Sequence, residues 1–196
     1  MLLVEGIAGA LLLPFITKKI VLKGDADKLR LIRSPAFVLI NGINFRPYAM
    51  LLLSPLNEVR IAARLVVVTD GDGADVAQGE VTTGARRTGD LEVLVGLEAA
   101  DLLDVVINDY SLKTELVRAD NADVQKNVYL KLHPRSGDRR DSAVRQADAA
   151  QAVAIHKLFK MTRKGDFARL VAEEINNGTA FTVPSYLKMA FEVLAK

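Results

Sequence analysis

"VVVTDGDGADV", residues 66–76, runs from a short apolar, β-branched segment directly into two aspartates. Buried strands do not normally end in two carboxylates, because a buried charge is unfavourable unless a positive group meets it. Asp70 and Asp72 are therefore the first candidates for a functional site. The rest of the chain has to supply whatever faces them.

Other apolar runs surround this stretch in an order typical of a parallel sheet. The four predicted strands are LLV at 2–4, AFVLI at 36–40, RLVVV at 64–68 and LLDVVI at 102–107. Uniformly apolar runs of this length are typical of strands that are covered on both faces. Helical patterns at 7–20 and 47–59 separate the first three runs, and Pro14 and Pro55 must bend or break them. This alternation predicts an α/β core with a mainly parallel sheet.

The second half of the chain has the pattern of packed helices. Residues 141–160 are rich in Ala and Gln, with apolar residues spaced near 3.6, which predicts a helix. A second helix is predicted over 166–178, where Gly178 is well placed to end it. A third helix closes the chain, with Pro184 near its first turn.

These patterns divide the chain into parts. Residues 71–96 hold six of the thirteen glycines and are predicted to form a long loop, with room for a hairpin. We expect an α/β core over 1–112, a helical subdomain over 113–178 and a C-terminal helix packed on the core over 179–196.

The composition limits the functional classes. The 196 residues carry a net charge of +2, which is too balanced to indicate nucleic-acid binding by itself. Because the chain has no cysteine, disulfides and thiolate sites are excluded, and any metal must bind oxygen or histidine. The apolar start lacks a basic segment, is interrupted by Glu5 and is shorter than the roughly 18 residues that a membrane helix needs. We therefore expect a cytoplasmic protein without a membrane segment.

Glu5 follows the first predicted strand in the way that Asp70 and Asp72 follow the third. In a parallel sheet these strand ends can be neighbours, so that three carboxylates would lie close together and repel one another. A divalent cation relieves the repulsion, and oxygen ligands suit Mg²⁺, Mn²⁺ or Ca²⁺. The alternative is a plain turn, since Asp-Gly pairs are common turn formers. Glu5 at a strand end favours the metal site.

Six segments in order along nearly the whole chain carry a family resemblance. They are LLVEGIAGALLLP (2–14), VLINGINFRPYAMLL (38–52), VVVTDGDG (66–73), SLKTELVRADN (111–121), RKGDFARLVAEEI (163–175) and FTVPSYLKMAFE (181–192). Together they resemble the Toprim nuclease region of the OLD (overcoming lysogenization defect) family. The resemblance implies a Rossmann-like Toprim core and a metal-dependent DNA endonuclease that hydrolyses phosphodiester bonds with two ions.

The same resemblance implies roles for single residues. The implied metal ligands are Glu5, Asp70, Asp72 and Glu115. Glu115 would hold the second ion. Lys164 would stabilise the charge on the pentavalent phosphate. The implied catalytic residues are therefore Lys164, Glu5, Asp70 and Asp72. Without the resemblance, Glu115 is a solvated charge beside Lys113, and Lys164 is an exposed lysine in a basic turn.

One position departs from the family's pattern. The family usually has a second acidic residue four positions after the first, one helical turn on, where this chain has Gly9. Asp75 or Glu80 could supply the missing carboxylate. Otherwise the domain is an impaired module that binds nucleic acid without cutting it. A third alternative is a haloacid-dehalogenase-like phosphatase with Asp70 as nucleophile and Asp72 as acid, although that motif normally lies on the first strand.

The family also implies partners. Basic residues of the helical part that could contact DNA phosphates are Arg139, Arg140, Lys160 and Arg163. An ABC-type ATPase region precedes the nuclease in this family, yet the sequence has no G-x-x-x-x-G-K-[ST] motif. We therefore expect that this chain is the carboxy-terminal nuclease region alone. Homo-oligomers would form through the ATPase region, which is missing from this chain.

Overall fold

The computed structural model describes residues 1–21, 37–73, 76–77 and 79–194 of the chain. Its centre is a four-stranded sheet. The strands are β1 (Leu2–Val4), β2 (Phe37–Leu39), β3 (Leu65–Thr69) and β4 (Leu103–Ile107). They pair in parallel in the order β2–β1–β3–β4. The predicted α/β core with a parallel sheet is confirmed.

Nine α-helices lie within the described residues. They are α1 (Ile7–Ile16), α2 (Arg46–Leu53), α3 (Thr83–Ala99), α4 (Leu112–Arg118), α5 (Ala122–Leu132), α6 (Gly137–Val144), α7 (Asp148–Phe159), α8 (Lys164–Asn176) and α9 (Ser185–Leu194). None of them is both long and apolar enough to cross a membrane.

Both faces of the sheet are covered, which is why its strands are apolar throughout. Leu2 and Val4 of β1 pack into one core together with helices α1, α8 and α9. Leu3, between them in sequence, points to the opposite face and packs with α2 and α3. Successive side chains of a strand alternate between the two faces, so both cores require apolar residues from the same short strand.

The strand order creates one position for a ligand. The chain passes from β1 to β2 on one side and then returns to place β3 on the other side of β1. In open parallel sheets, ligands bind outside the carboxyl ends of the strands where the order reverses in this way. Glu5 follows β1 and Asp70 follows β3, so both lie at this point.

Several predicted helices have different ends in the structure. The first α-helix stops at Ile16, and a π-helical turn, Thr17–Val21, continues it beyond Pro14. The hydroxyl of Thr17 donates a hydrogen bond to the carbonyl of Leu13 at 2.7 Å, next to the position where the proline removes a donor. Helix α2 ends before Pro55, as its restricted backbone requires.

Two of the predictions were wrong. Residues 71–96 are not one long loop, because most of their second half belongs to α3, which Thr82 caps by accepting a hydrogen bond from the Ala85 amide at 3.2 Å. Residues 141–160 are not one helix, because Ala147 is extended and Asp148 has a positive φ of 47° between α6 and α7. An Ala-rich sequence pattern contains no signal for such a break between two helices.

The helical part and the sheet share a core. Helix α8 packs against α1, and α9 packs against β3 and β4. Gly178, with φ +90°, lies two residues beyond the last residue of α8, where the Thr179 amide donates to the Glu174 carbonyl at 3.1 Å. The predicted boundary between 112 and 113 falls inside α4. The division into three parts stays a prediction.

Candidate functional site

Glu5 and Asp70 lie side by side at the carboxyl ends of β1 and β3. The Asp70 amide donates to Glu5 Oε2 at 3.3 Å, and the hydroxyl of Thr69 donates to the same oxygen at 2.6 Å. One oxygen of Glu5 is thereby fixed by the end of β3. Two neighbouring strand ends therefore bring the two carboxylates together, as parallel pairing predicts.

The DGDG segment, residues 70–73, is held by hydrogen bonds to the segment that follows β4. Its first glycine, Gly71, donates its amide to Asn108 Oδ1 at 3.1 Å, and a Cβ at this position would collide with the Asn108 carbonyl. Asp72 has a left-handed backbone (φ 57°), which aspartate adopts more readily than most residues, and its amide donates to the Tyr110 carbonyl at 3.0 Å. These contacts fix the position of the DGDG segment at the site.

The Asp70 carboxyl is held in one orientation. Its Oδ1 accepts hydrogen bonds from the Asn108 side-chain amide at 2.8 Å and from the Leu112 backbone amide at 3.1 Å. Burial raises the pKa of Asp70 to about 6, and the neighbouring charges of Glu5 and Asp72 add to this, whereas the two hydrogen bonds oppose it. No motif or pattern in the sequence identifies Asn108 as a residue of the site.

Arg87 is the positive group that faces the carboxylates. Its guanidinium is 9% exposed and lies 3.2 Å from Glu5 Oε2 and 3.5 Å from Asp72 Oδ2. It also donates to the Thr69 hydroxyl and to the Asp70 carbonyl, the latter at 3.4 Å. Arg87 could not be identified from the sequence, because the glycine-rich pattern of residues 71–96 predicts a loop at this position.

Gly84 explains how Arg87 reaches the site. A Cβ on Gly84 would lie 2.7 Å from the Cα of Gly71 and 2.8 Å from the Asp70 carbonyl oxygen, so only glycine permits this contact. The first turn of α3 therefore sits directly on the DGDG segment. Residues three apart share a face of a helix, which turns Arg87 toward the same segment.

A cleft of about 70 Å³ opens beside Glu5 and Asp70. Gly9, Lys113 and Lys164 also line it. The lining side chains thus combine two carboxylates with two ammonium groups, a set that suits a ligand carrying negative charge and a cation together.

The two lysines come from different elements. Lys164 is exposed and is the first residue of α8. Lys113 is partly buried, with its Nζ 5.6 Å from the ring centroid of Phe159 and 5.9 Å from that of Phe167. Burial lowers the pKa of Lys113; the like charge of Lys164 adds to this, whereas Asp70 opposes it. Lys113 is not among the site residues that the sequence predicts.

Glu115 lies near this site but does not line the cleft. Its Oε1 is buried and accepts no hydrogen bond within the described residues, and the nearest cation, Arg118, is 3.8 Å away. Burial raises the pKa of Glu115, Arg118 lowers it, and the charges of Asp109 and Asp70 raise it further. Its buried oxygen without a hydrogen bond is compatible with a cation ligand, and the role of Glu115 stays a prediction.

Solved structures with this arrangement of elements are C-terminal regions of OLD proteins. The one from Burkholderia pseudomallei covers 98% of this chain and 94% of its own at a TM-score of 0.74 and 22% identity. The chain has the fold of an OLD C-terminal region. The one from Xanthomonas campestris pv. campestris, phased with iodine, covers 99% of this chain and 92% of its own at a TM-score of 0.66 and 21% identity. No family model and no curated protein matches the sequence.

The donor atoms of the site fit an oxygen-preferring divalent ion in kind. The hydrogen bonds to the Asp70 carboxylate all go to Oδ1 and those to the Glu5 carboxylate all go to Oε2, so that Asp70 Oδ2 and Glu5 Oε1 accept none from the described residues. Nevertheless, no three acidic or histidine side chains in the described part of the chain are grouped closely enough to hold one ion. Arg87 takes up two of the predicted ligands.

The position that lacks the OLD family's second acid faces this cleft. A Cβ on Gly9 would meet Val4 at 3.5 Å and Leu13 at 3.8 Å, which are ordinary contacts, so the backbone has room for a side chain. Of the two suggested replacements, Asp75 lies outside the described residues, and Glu80 is exposed in the segment before α3 and does not line the cleft.

The predicted DNA contacts divide into exposed and buried residues. Lys160 and Arg163 are exposed in the turn between α7 and α8, and Arg139 is exposed on α6. Arg140 is different. It is 5% exposed, forms an ion pair with Asp141 at 3.0 Å and donates to the carbonyl of residue 122, so its charge is used inside the helical part. We remove it from the predicted DNA surface.

Proposed function

We propose that the chain is a metal-dependent endonuclease that hydrolyses phosphodiester bonds in DNA. One observation carries the proposal: a single cleft at the switch point of the sheet combines Glu5 and Asp70 with Lys113 and Lys164. A phosphodiester needs cationic groups around its oxygens and a site where further negative charge can develop. The OLD fold and the six resembling segments support the same assignment.

The carboxylates would hold the divalent ions. By the resemblance, Glu5, Asp70 and Asp72 would bind one ion and Glu115 a second, each ion being Mg²⁺, Mn²⁺ or Ca²⁺. Such ions, when bound, supply positive charge that stabilises the attacking and leaving oxygens of an in-line displacement. Asn108 and the Leu112 amide fix Oδ1 of Asp70 and thereby the orientation of its other oxygen.

The lysines would act on the phosphate. Lys164 lies at the amino end of a 13-residue helix, where the helix dipole already favours an anion and the ammonium group adds a full charge. Because the additional negative charge appears only during reaction, Lys164 would stabilise the transition state more than the bound substrate. Lys113, packed against Phe159 and Phe167, would contact another phosphate oxygen.

The partners follow from this assignment. Lys160 and Arg163 flank Lys164, so that a DNA backbone entering the cleft would pass them, with Arg139 as a further contact. By the resemblance, the domain would work with an ABC-type ATPase region at its amino-terminal side, through which homo-oligomers would form. In this arrangement the nuclease would act in the cytoplasm.

The test is incubation with supercoiled plasmid and Mg²⁺, Mn²⁺ or Ca²⁺, with EDTA as control. We expect nicked or linear product that requires a divalent ion and is absent with Asp70→Ala. The matched control is Asp101→Ala, which removes an exposed carboxylate outside the site and should leave cleavage intact. Cleavage in EDTA, or an active Asp70→Ala, would overturn the proposal.

Two other outcomes identify the alternatives. DNA binding without cleavage under every ion would assign the chain as a nucleic-acid-binding module, which Gly9 and the Arg87 ion pairs favour. Covalent capture of Asp70 by a phosphate mimic would assign a phosphatase. That alternative leaves Glu5 unexplained, although Glu5 accepts a hydrogen bond from the Asp70 amide.

A further inference from the structure

Arg87 occupies the position in which a cation is needed. It is almost fully buried, and its two terminal nitrogens lie on different carboxylates, Nη1 on Glu5 and Nη2 on Asp72. Both carboxylates are among the proposed metal ligands. A buried guanidinium is stabilised only when it is paired, and so are the carboxylates that it meets.

We propose that Arg87 is an internal counter-ion that competes with a divalent ion for Glu5 and Asp72. The inference rests on the proposed function, because it takes these two residues as metal ligands. A guanidinium and a divalent ion need the same negative charge, and the two cations repel each other at short distance. An ion would therefore bind more tightly once Arg87 has moved away.

The fold provides a second position for the Arg87 side chain. Arg87 lines an open groove of about 330 Å³ together with Asp90 and Arg86. Asp90 lies three residues after Arg87 on α3, a spacing at which oppositely charged side chains pair. Its exposed carboxylate forms no ion pair in the described part of the chain. Arg87 could thus exchange Glu5 and Asp72 for Asp90.

The sign of one mutational effect decides between this role and its alternative. If Arg87 only orients the carboxylates for an ion, its loss should weaken ion binding by about 10–100-fold, as for other groups that support metal ligands. If Arg87 competes with the ion, its loss should tighten binding, because a repelling positive charge is removed. The two roles predict opposite shifts of the same dissociation constant.

The experiment is titration calorimetry of Mg²⁺ and Mn²⁺ on the complete chain, without DNA. We expect Arg87→Gln to bind at least about 10-fold more tightly than the wild type, which is a small part of the repulsion between two cations about 4 Å apart. Asp90→Asn should bind a few-fold more weakly, because it removes the second position. Arg135→Gln is the matched control; it removes an exposed arginine that lines neither the cleft nor the groove and should change affinity by no more than about two-fold. Equal or weaker binding by Arg87→Gln overturns the inference.

Thermal unfolding by circular dichroism accompanies each titration. Ion-free Arg87→Gln should be less stable than the wild type, and added Mg²⁺ should restore more stability to it than to the wild type. If Arg87→Gln folds only with the ion, that result supports competition. If it does not fold at all, Arg87→Lys decides, since one ammonium cannot span both carboxylates; tighter binding supports the inference and unchanged binding overturns it.

The outcomes separate this inference from the proposed function. Ion binding by the wild type together with weaker binding by Arg87→Gln overturns the competition alone. No ion binding by any of these variants overturns both the competition and the metal site. Binding by Arg87→Gln without detectable binding by the wild type supports the competition in its strongest form.

Discussion

Replacing Asp70 by asparagine should make the ion-free protein more stable at neutral pH. Asparagine has the same shape, and its Oδ1 can accept the same hydrogen bonds from Asn108 and Leu112. What it removes is a negative charge that lies beside Glu5 and is buried at the wall of the cleft. Asp70, which is proposed to bind a cation, thus destabilises the fold when no cation is bound.

The magnitude follows from the pKa of the Asp70 carboxyl. Burial raises this pKa from 3.8 to about 6, so the folded state binds the proton more tightly than the unfolded state does. Above pH 6 the group is ionised in both states, and a shift of about two units corresponds to roughly 3 kcal/mol of lost stability. Because Asp70 lines the open cleft and is only partly buried, we expect a gain of about 1–2 kcal/mol, or roughly 2–8 °C in Tm for a chain of this size.

The assay is thermal unfolding in EDTA across pH, followed by circular dichroism. The stability gain of Asp70→Asn should be full at pH 7.5, should shrink as the pH falls through 6 and should nearly vanish near pH 4, where the wild-type carboxyl is protonated when folded. Asp101→Asn, at an exposed position, should change stability by less than about 0.5 kcal/mol throughout. A variant that is less stable than the wild type at pH 7.5, or a gain that does not depend on pH, would refute the reasoning.

Three further changes test other parts of the structure. Lys164→Ala should retain fold, ion binding and most DNA affinity in gel-shift assays while plasmid cleavage slows by on the order of 10²–10³; a parallel, salt-dependent loss of affinity and cleavage would make it a plain phosphate contact. Gly9→Glu should tighten divalent-ion binding in calorimetry, and an unchanged affinity in a folded variant would show that Gly9 does not face the ion. Glu174→Gln should lower stability by about 1–2 kcal/mol in urea unfolding at pH 7, because hydrogen bonds from Lys131 and Asn127 lower the pKa of this buried carboxyl. That loss should shrink as the pH falls below the usual pKa of 4.5 and through the lowered pKa of the folded state, and a difference that does not depend on pH would contradict it.

The sheet could be predicted because its physics is local. A strand that is covered on both faces must be apolar at every position, and the four predicted strands differ from the observed ones by about one residue at their ends. The rule that ligands bind at carboxyl ends then placed Glu5 and Asp70 together. Neither step required knowledge of distant contacts.

Helix α3 could not be predicted in the same way. Glycines at 84, 89 and 96 lower the helix propensity of the segment. Leu91, which is buried in the core, favours a packed helix, but a prediction from local sequence gives more weight to the three glycines. Gly84 is there because the helix must touch the DGDG segment, which is a long-range requirement. The capping residue Thr82 was the one local signal for this helix.

The charge of the site connects the two features that sequence and structure reveal separately. The resemblance identifies Gly9 as a position without its usual carboxylate, and the structure adds a buried guanidinium, that of Arg87, on two of the remaining acids. Both changes make the site less negative, and both weaken the attraction for a divalent ion. A site with fewer carboxylates also needs less positive charge to be stable without an ion, and Arg87 supplies it. The missing acid and the internal arginine therefore act in the same direction, and the ion must overcome both effects to bind.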